Sequence, residues 1–569
     1  MEKLTEIINV ARGIKKADLV LKNAKILNVF TGEIHENDVA IKDNIIVSIG
    51  KDLCGLTEID IEGKYLSPSF IDGHIHIESS MLLPHEFAKA VVPTGTTSII
   101  ADPHEIANVL GLQGISFIKE TTEKIPLDVY IMLPSCVPAT NLESSGSQLD
   151  AGLLSFIVDQ PWILGLAEMM NFPGVLNNDE SVIKKLKLAK NKIMDGHCPA
   201  LKGQDLCAYI AAGIKSDHEC TNVEEAKEKL ALGMHIMIRE GTVAKDLDSI
   251  LPLINEITSR RCFFVTDDRC PLDLYDHINS MVRRAVKSGI PPITAIQMAS
   301  LNVAEYFKIP NKGAIAPGYI ADMLIFEDLT EFKPEMVFKS GKLVAKNGIF
   351  LQEDINYEIP NVRRSVNVKW IEPDDFKIKA ESDRVKTINI RPQQLITDMT
   401  VENIIVKDGY AESNLENDVL KIIVIERHSA SGSMGKGFVK GFGLKSGAIA
   451  STIAHDSHNM VVIGTNNKDM CQAAIELVKS QGGKVIVENG KVLEKLPLPI
   501  AGLISDKSAS FVVDKIKSLS AILKQLGCAV EDPFMQMAFL SLPVIPEIKI
   551  TDKGLIDVNK FEITNLFVV

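Results

Sequence analysis

Short alternating or continuous runs of apolar residues open the chain. Segments 18–22, 25–29, 38–42 and 45–49 read as strands, with Thr31-Gly32 and Asp43-Asn44 supplying turns. A matching set returns at 321–326 and 336–344. The simplest account is one small β-domain, 1–66 with 315–368, assembled from both flanks of a large insertion. The insertion, 67–314, has its own rhythm. Apolar strand-like runs end in polar or ionisable residues at 70–76, 97–104, 128–135, 163–168, 192–197, 213–219, 235–240 and 262–268. Segments with apolar residues at helical spacing, such as 223–232, lie between them. Eight strands alternating with helices over ~250 residues predict an α/β fold, a (β/α)8 TIM-like barrel. Chemistry in that fold sits at the C-terminal ends of the strands, and here those ends carry the ionisable side chains. After a proline-bounded stretch near Glu358, residues 369–569 mix strands (421–425, 459–464) with an amphipathic helix over 470–480. This predicts an additional C-terminal α/β domain.

Composition then narrows the picture by exclusion. With 46% hydrophobic and 24% charged residues, a chain of 569 residues can bury several cores, which excludes a disordered polypeptide. No uninterrupted apolar run reaches the ~18 residues of a membrane span. The charged start, 1–23, lacks the apolar core of a secretory signal. A net charge of −13 argues against a nucleic-acid binder, which would present a basic face. The nine cysteines form no C-x-x-C pair and suit a reduced, cytoplasmic protein.

His74-Ile75-His76 lies on the first barrel strand. Side chains at i and i+2 of a strand share a face, so both imidazoles point one way, with Asp72 below them. A lone H-x-H pair is weak evidence, but the other strand ends add to it. Glu168, His197, His218 and Asp267 fall at the ends of strands four, five, six and eight, and a barrel converges such ends on one point. Six nitrogen and oxygen ligands could then surround two divalent ions. Six unrelated buried polar residues would instead leave several carboxylates unpaired, which is costly. Mixed His and carboxylate ligands suit manganese, iron or zinc, and no thiolate set selects zinc.

These residues also carry a family resemblance. The strand-end pattern is similar to that of the amidohydrolase superfamily. More specifically, segments 68–81 (PSFIDGHIHIESSM), 97–106 (TSIIADPHEI) and 454–459 (AHDSHN) resemble the bacterial and archaeal adenine deaminase family, and the likeness covers essentially the whole chain. Strand four ends in Glu168 rather than a lysine that could be carbamylated, a departure from the hydantoinase and dihydroorotase branch. The resemblance implies hydrolysis of adenine by water to hypoxanthine and ammonia, in purine salvage. It also implies two divalent ions, Mn2+ or Fe2+ before Zn2+, in a cytoplasmic homo-oligomer with no nucleic-acid or membrane partner. Metal-activated water would attack C6 of the purine. Asp267 is expected to carry its proton, with His218 and Glu219 acting beside it. The rivals are an amidohydrolase for a different aminated heterocycle or cyclic amide, and a non-catalytic scaffold, which would be expected to lose metal ligands.

Further residues are weighed around this core. Glu78 belongs to the E-S-S-M segment. Asp102 and His104, at i and i+2, read equally as support for the metals, as extra ligands, or as a cap on the next helix. By strand alternation Glu219 and Asp268 should point away from the ligands unless the strand has ended. Arg239 and Glu240 end strand seven, where they read a purine edge or form a buried ion pair. The charged face 224–229 reads as solvated surface. His455, Asp456 and His458 are expected either to overhang the barrel mouth or to form a self-satisfied turn. A third metal site there is disfavoured, because H-x-x-H on a strand or turn does not bring both imidazoles to one face.

Overall fold

The computed structural model describes residues 2–351, 362–391 and 394–568; the stretch near Glu358 lies outside the described residues. Eight strands follow one another through the middle of the chain: β1 (Phe70–Ile75), β2 (Thr96–Ala101), β3 (Asp128–Leu133), β4 (Ile163–Met169), β5 (Ile193–Gly196), β6 (Ser216–Asp217), β7 (His235–Arg239) and β8 (Cys262–Val265). β1 to β5 pair in parallel in sequence order, and so do β6 to β8. Two seams join these arcs. Lys215 N donates to Met194 O at 3.0 Å beside β5 and β6, and Asp267 N donates to His74 O at 3.0 Å between the end of β8 and β1. The result is a TIM-like barrel. Its strands are covered on both faces, which is why they read as continuous apolar runs: β1, β2 and β8 are buried throughout. Gly73 permits one close approach inside it. A Cβ at this position would lie 2.6 Å from Phe263 Cε2, so glycine lets β8 pack against β1 just below His74.

A nine-stranded sheet flanks the barrel. Tyr65–Pro68 pairs antiparallel with Met323–Phe326, so the early strands and those after residue 320 form one continuous layer. The C-terminal region is built on an eight-stranded mixed sheet that includes Val419–Ile425, Ala448–Ser451 and Met460–Gly464. Helix Asn467–Ser480 covers it with Met470, Ala473, Ala474 and Leu477, an i, i+3, i+4, i+7 stripe. The helix starts three residues earlier than the apolar pattern indicates, because Asn466 accepts the Asp469 N–H and caps it there. Segment 452–459 leaves this sheet and returns to it, crossing to the barrel mouth between the two passes. Among the described residues no helix is long and apolar enough to cross a membrane.

Candidate metal centre

The six expected ligands converge, and Glu168 stands at their middle. Its Oε1 faces His76 Nε2 at 3.3 Å and His74 Nε2 at 3.6 Å, while Oε2 faces His197 Nδ1 at 2.7 Å and His218 Nε2 at 3.3 Å. Asp267 Oδ1 completes the first group, 3.1 Å from His76 Nε2 and 3.6 Å from His74 Nε2. One carboxylate thus touches two sets of ligand atoms. All six residues are buried. Among the described residues His74 Nε2, which points between two carboxylates, makes no hydrogen bond, and His197 Nε2 and His218 Nδ1 are also without partners. A buried set of this kind, rich in imidazole and carboxylate and free of thiolate, fits divalent cations.

Local structure explains how each group arrives. Asp267, two residues past β8, has φ 56°, a left-handed conformation that Asp tolerates, and its backbone bonds to both sides of β1's end. Asp72 accepts from Thr266 N at 3.1 Å and His74 N at 3.3 Å, so it ties β1 to β8 beneath the ligands. His76 Nδ1 is held at 2.9 Å by the Asp102 carbonyl, which turns Nε2 toward the ligand set. Asp102 itself holds His104 twice, at N (3.1 Å) and Nδ1 (3.0 Å), at the start of helix His104–Leu110. His104 Nδ1 also lies 3.6 Å from Glu168 Oε1. Glu78 accepts from Ile106 N at 3.1 Å and steadies the same helix start.

Two conditional expectations resolve here and one is corrected. Glu219 does not point away: β6 ends at Asp217, alternation stops there, and Glu219 Oε1 lies 3.6 Å from both His197 Nδ1 and His218 Nε2. Asp268, also beyond its strand, lines the same cavity. Arg239 does not pair with Glu240, which binds Arg284 instead. Its guanidinium forks onto Glu219, reaches Asp246 at 2.9 Å and Asp267 Oδ2 at 3.0 Å. The face 224–229 is not wholly solvated either. Lys229 is 0% exposed and donates to Asp217 Oδ2 at 2.9 Å and to Cys198 O at 2.8 Å. Asp217 Oδ1 in turn accepts from Cys198 N at 2.8 Å, so this buried pair fixes the chain from which His197 and His218 project.

Electrostatics follow the geometry. Burial alone would raise the pKa of Asp267, but the His74 and His76 imidazoles and the Arg239 charge hold it well below the usual carboxylate range. Burial likewise opposes ionisation of Glu219, and Arg239, His197 and His218 outweigh it. Both carboxylates are kept charged.

Above the ligands the C-terminal region closes the cavity. His455, Asp456, Leu395, Phe539, Leu542 and Ile545 line it with the barrel residues. His455 stacks on Phe539 with ring centroids 4.3 Å apart. His458 is not at the cavity wall; it lies behind, against Glu105. Met170, Glu219, Arg239, Leu395 and Ile545 also border a neighbouring cavity of about 1270 Å³, which offers a route in for a small molecule. Sequence reasoning missed Asp246, Glu105 and Phe539. Only Glu105 had a local signal, its place beside His104 in D-P-H-E-I.

Comparison with known proteins identifies the family. The amidohydrolase family model matches residues 65–344, and the model of the adenine deaminase C-terminal domain matches 394–562. The chain is 49% identical to adenine deaminase 2 of Carboxydothermus hydrogenoformans and 47% identical to adenine deaminase of Desulfatibacillum aliphaticivorans, in each case over 99% of both chains. It is 48% identical to adenine deaminase of Clostridium acetobutylicum, over 98% of this chain and 99% of the relative.

Proposed function

Since the chain belongs to the adenine deaminase family of the amidohydrolases, we propose that it hydrolyses adenine to hypoxanthine and ammonia at the strand ends of its barrel. The observation that carries this reading is Glu168, whose two oxygens face two separate histidine pairs. His74, His76, Glu168 and Asp267 would hold one divalent ion, and Glu168, His197 and His218 a second. These ligands suit manganese, iron or zinc, and the family resemblance favours Mn2+ or Fe2+. When bound, the ions acidify water so that a nucleophile exists at neutral pH.

The remaining chemistry belongs to side chains. Water adds through oxygen at C6, the C6–N6 bond breaks, and two protons pass from water to the products, one to the departing amine and one to the ring. Asp267 and Glu219, both held ionised by Arg239, are two acceptors for those two protons. Each can release its proton again as the product forms. Leu395, Phe539, Leu542 and Ile545 give the flat purine an apolar wall and exclude bulk water. In this reading the chain has three units: 1–66 with 315–368, the barrel 67–314, and 369–569, whose contribution is to roof the site. The working form is a homo-oligomer.

The test is a panel of nucleobases and cyclic amides assayed for ammonia release after chelated protein is reloaded with Mn2+, Fe2+ or Zn2+. Adenine should turn over. Inert adenine with every metal, alongside turnover of a cyclic amide, would reverse the assignment.

A further inference from the structure

A second cluster of ligating side chains sits between the barrel and the C-terminal segment. Glu105, in the first turn of helix His104–Leu110, meets three imidazoles. His104 Nε2 is 3.2 Å from its Oε1, His455 Nδ1 is 2.5 Å from the same oxygen, and His458 Nε2 lies against Oε2. Asp456 Oδ1 is 3.9 Å from both His104 Nε2 and His455 Nδ1. All five residues are buried, none more than 4% exposed. The turn that carries H-x-x-H curls enough to aim both of its imidazoles at Glu105, with ring centroids 5.7 Å apart. The two imidazoles meet different oxygens of Glu105, so a metal there would take only one of them.

The cluster pairs acids with imidazoles and leaves polar atoms unmatched. Glu105 and Asp456 are paired only with histidines, and neither forms an ion pair with Lys or Arg among the described residues. Among the described residues Asp456 Oδ2 and His455 Nε2, the atoms of these two side chains that do not face the cluster's shared centre, have no hydrogen-bond partner.

The nitrogens sort the histidines into roles. Asp102 engages His104 Nδ1 at 3.0 Å, which leaves Nε2 facing the cluster, the carboxylate–histidine arrangement typical of metal ligands. His458 Nδ1 accepts from Ala454 N at 3.1 Å, so its proton is on Nε2 and is directed at Glu105. His458 orients the carboxylate and does not ligate.

We propose that His104 Nε2, Glu105 Oε1, His455 Nδ1 and Asp456 Oδ1 form a third divalent-metal site, distinct from the two-ion centre. Ligands at ~2.1 Å from an ion stand ~3.0–3.5 Å from one another. His104 Nε2–Glu105 Oε1, at 3.2 Å, lies within that range, and the separations of 2.5, 3.9 and 3.9 Å lie within about 0.5 Å of it. Two ligands come from the barrel and two from segment 452–459, so the ion clamps the C-terminal roof onto the barrel mouth. Two imidazoles and two carboxylates suit Zn2+ or Mn2+.

The site is independent of the substrate assignment, and stoichiometry tests it without an activity assay. Full-length protein is stripped with chelator, titrated with Mn2+ or Zn2+, dialysed and measured by elemental analysis. Three tightly held ions per chain are expected, falling to two in Asp456→Asn and in His455→Gln. Loading with Co2+ should give an absorption component that both variants lose. Saturation of the unmodified protein at two ions would overturn the proposal whether or not the variants fold. Three ions retained in folded variants would overturn it as well.

Discussion

Arg239 Nη1 lies 3.0 Å from Asp267 Oδ2, while the other oxygen of Asp267 faces His76 Nε2 at 3.1 Å. One carboxylate is therefore shared between a fixed cation and the metal ligands. Arg239 also serves Glu219 and Asp246. Arg239→Met would leave two buried carboxylates, Glu219 and Asp267, and the half-buried Asp246 without their cation. Its melting temperature should drop by several degrees, in line with the ~3–5 kcal/mol cost of breaking a buried pair. Its kcat/KM should fall at least about a hundredfold. Arg239→Lys should rescue little, because an ammonium cannot fork across three acceptors. Wild-type kinetics in the lysine variant would show that charge alone suffices.

Glu168→Gln removes the charge that faces both histidine pairs. Metal content and turnover should fall together, read by elemental analysis beside ammonia release. Full occupancy by two ions in that variant would rule out the bridging role.

Glu219 and Asp267 differ in one measurable way. Glu219→Gln should keep both ions of the two-ion centre yet lose ~10²–10⁴ in kcat, the usual worth of a general acid–base group. Asp267→Asn should lose as much turnover while keeping at least one ion through the histidines. Near-normal turnover in either would remove that residue from the proton relay.

Phe539 offers the purine an aromatic face at the cavity roof. Base–aromatic stacking is worth ~1–3 kcal/mol, so Phe539→Ala should raise KM for adenine about tenfold or more. Unchanged KM would place the base elsewhere in the cavity.

Lys549 gives a pH signature away from the metals. It is fully buried, among the described residues its ammonium hydrogen-bonds only to the Leu395 carbonyl, at 2.8 Å, and burial pushes its pKa down to about 7. The unfolded chain keeps an ordinary lysine, so between about pH 7 and 10 it binds the extra proton, and stability attributable to this group rises with pH. Below pH 7 both states are charged and the burial penalty is complete. Lys549→Met should therefore gain melting temperature relative to wild type at pH 6, and the gain should shrink toward pH 10. A pH-independent difference would mean that Lys549 is charged throughout.

Much of the site was legible because its determinants are local. A run of apolar residues with period two or without interruption marks a strand, and the residue closing that run belongs at a barrel mouth. His74, His76, Glu168, His197, His218 and Asp267 each follow from that rule applied separately to one segment. Glu219 escaped it because β6 is only two residues long, and alternation has no meaning past its end. Lys229 escaped because helical spacing marks which side of a helix faces inward but says nothing of a buried Asp217 waiting there.

The amino-acid pattern by itself determined the order of strands and helices, the barrel, and the metal-binding ends of its strands, since each depends on residues within one or two turns of chain. Only the tertiary structure decided which charges meet. Arg239 could have met Glu240 beside it, and instead holds Glu219, Asp246 and Asp267. Glu105 meets His455 across 350 positions of sequence. Such pairings are set by how separate segments dock, where burial makes every unpaired charge costly and so selects the arrangement that brings opposite groups together.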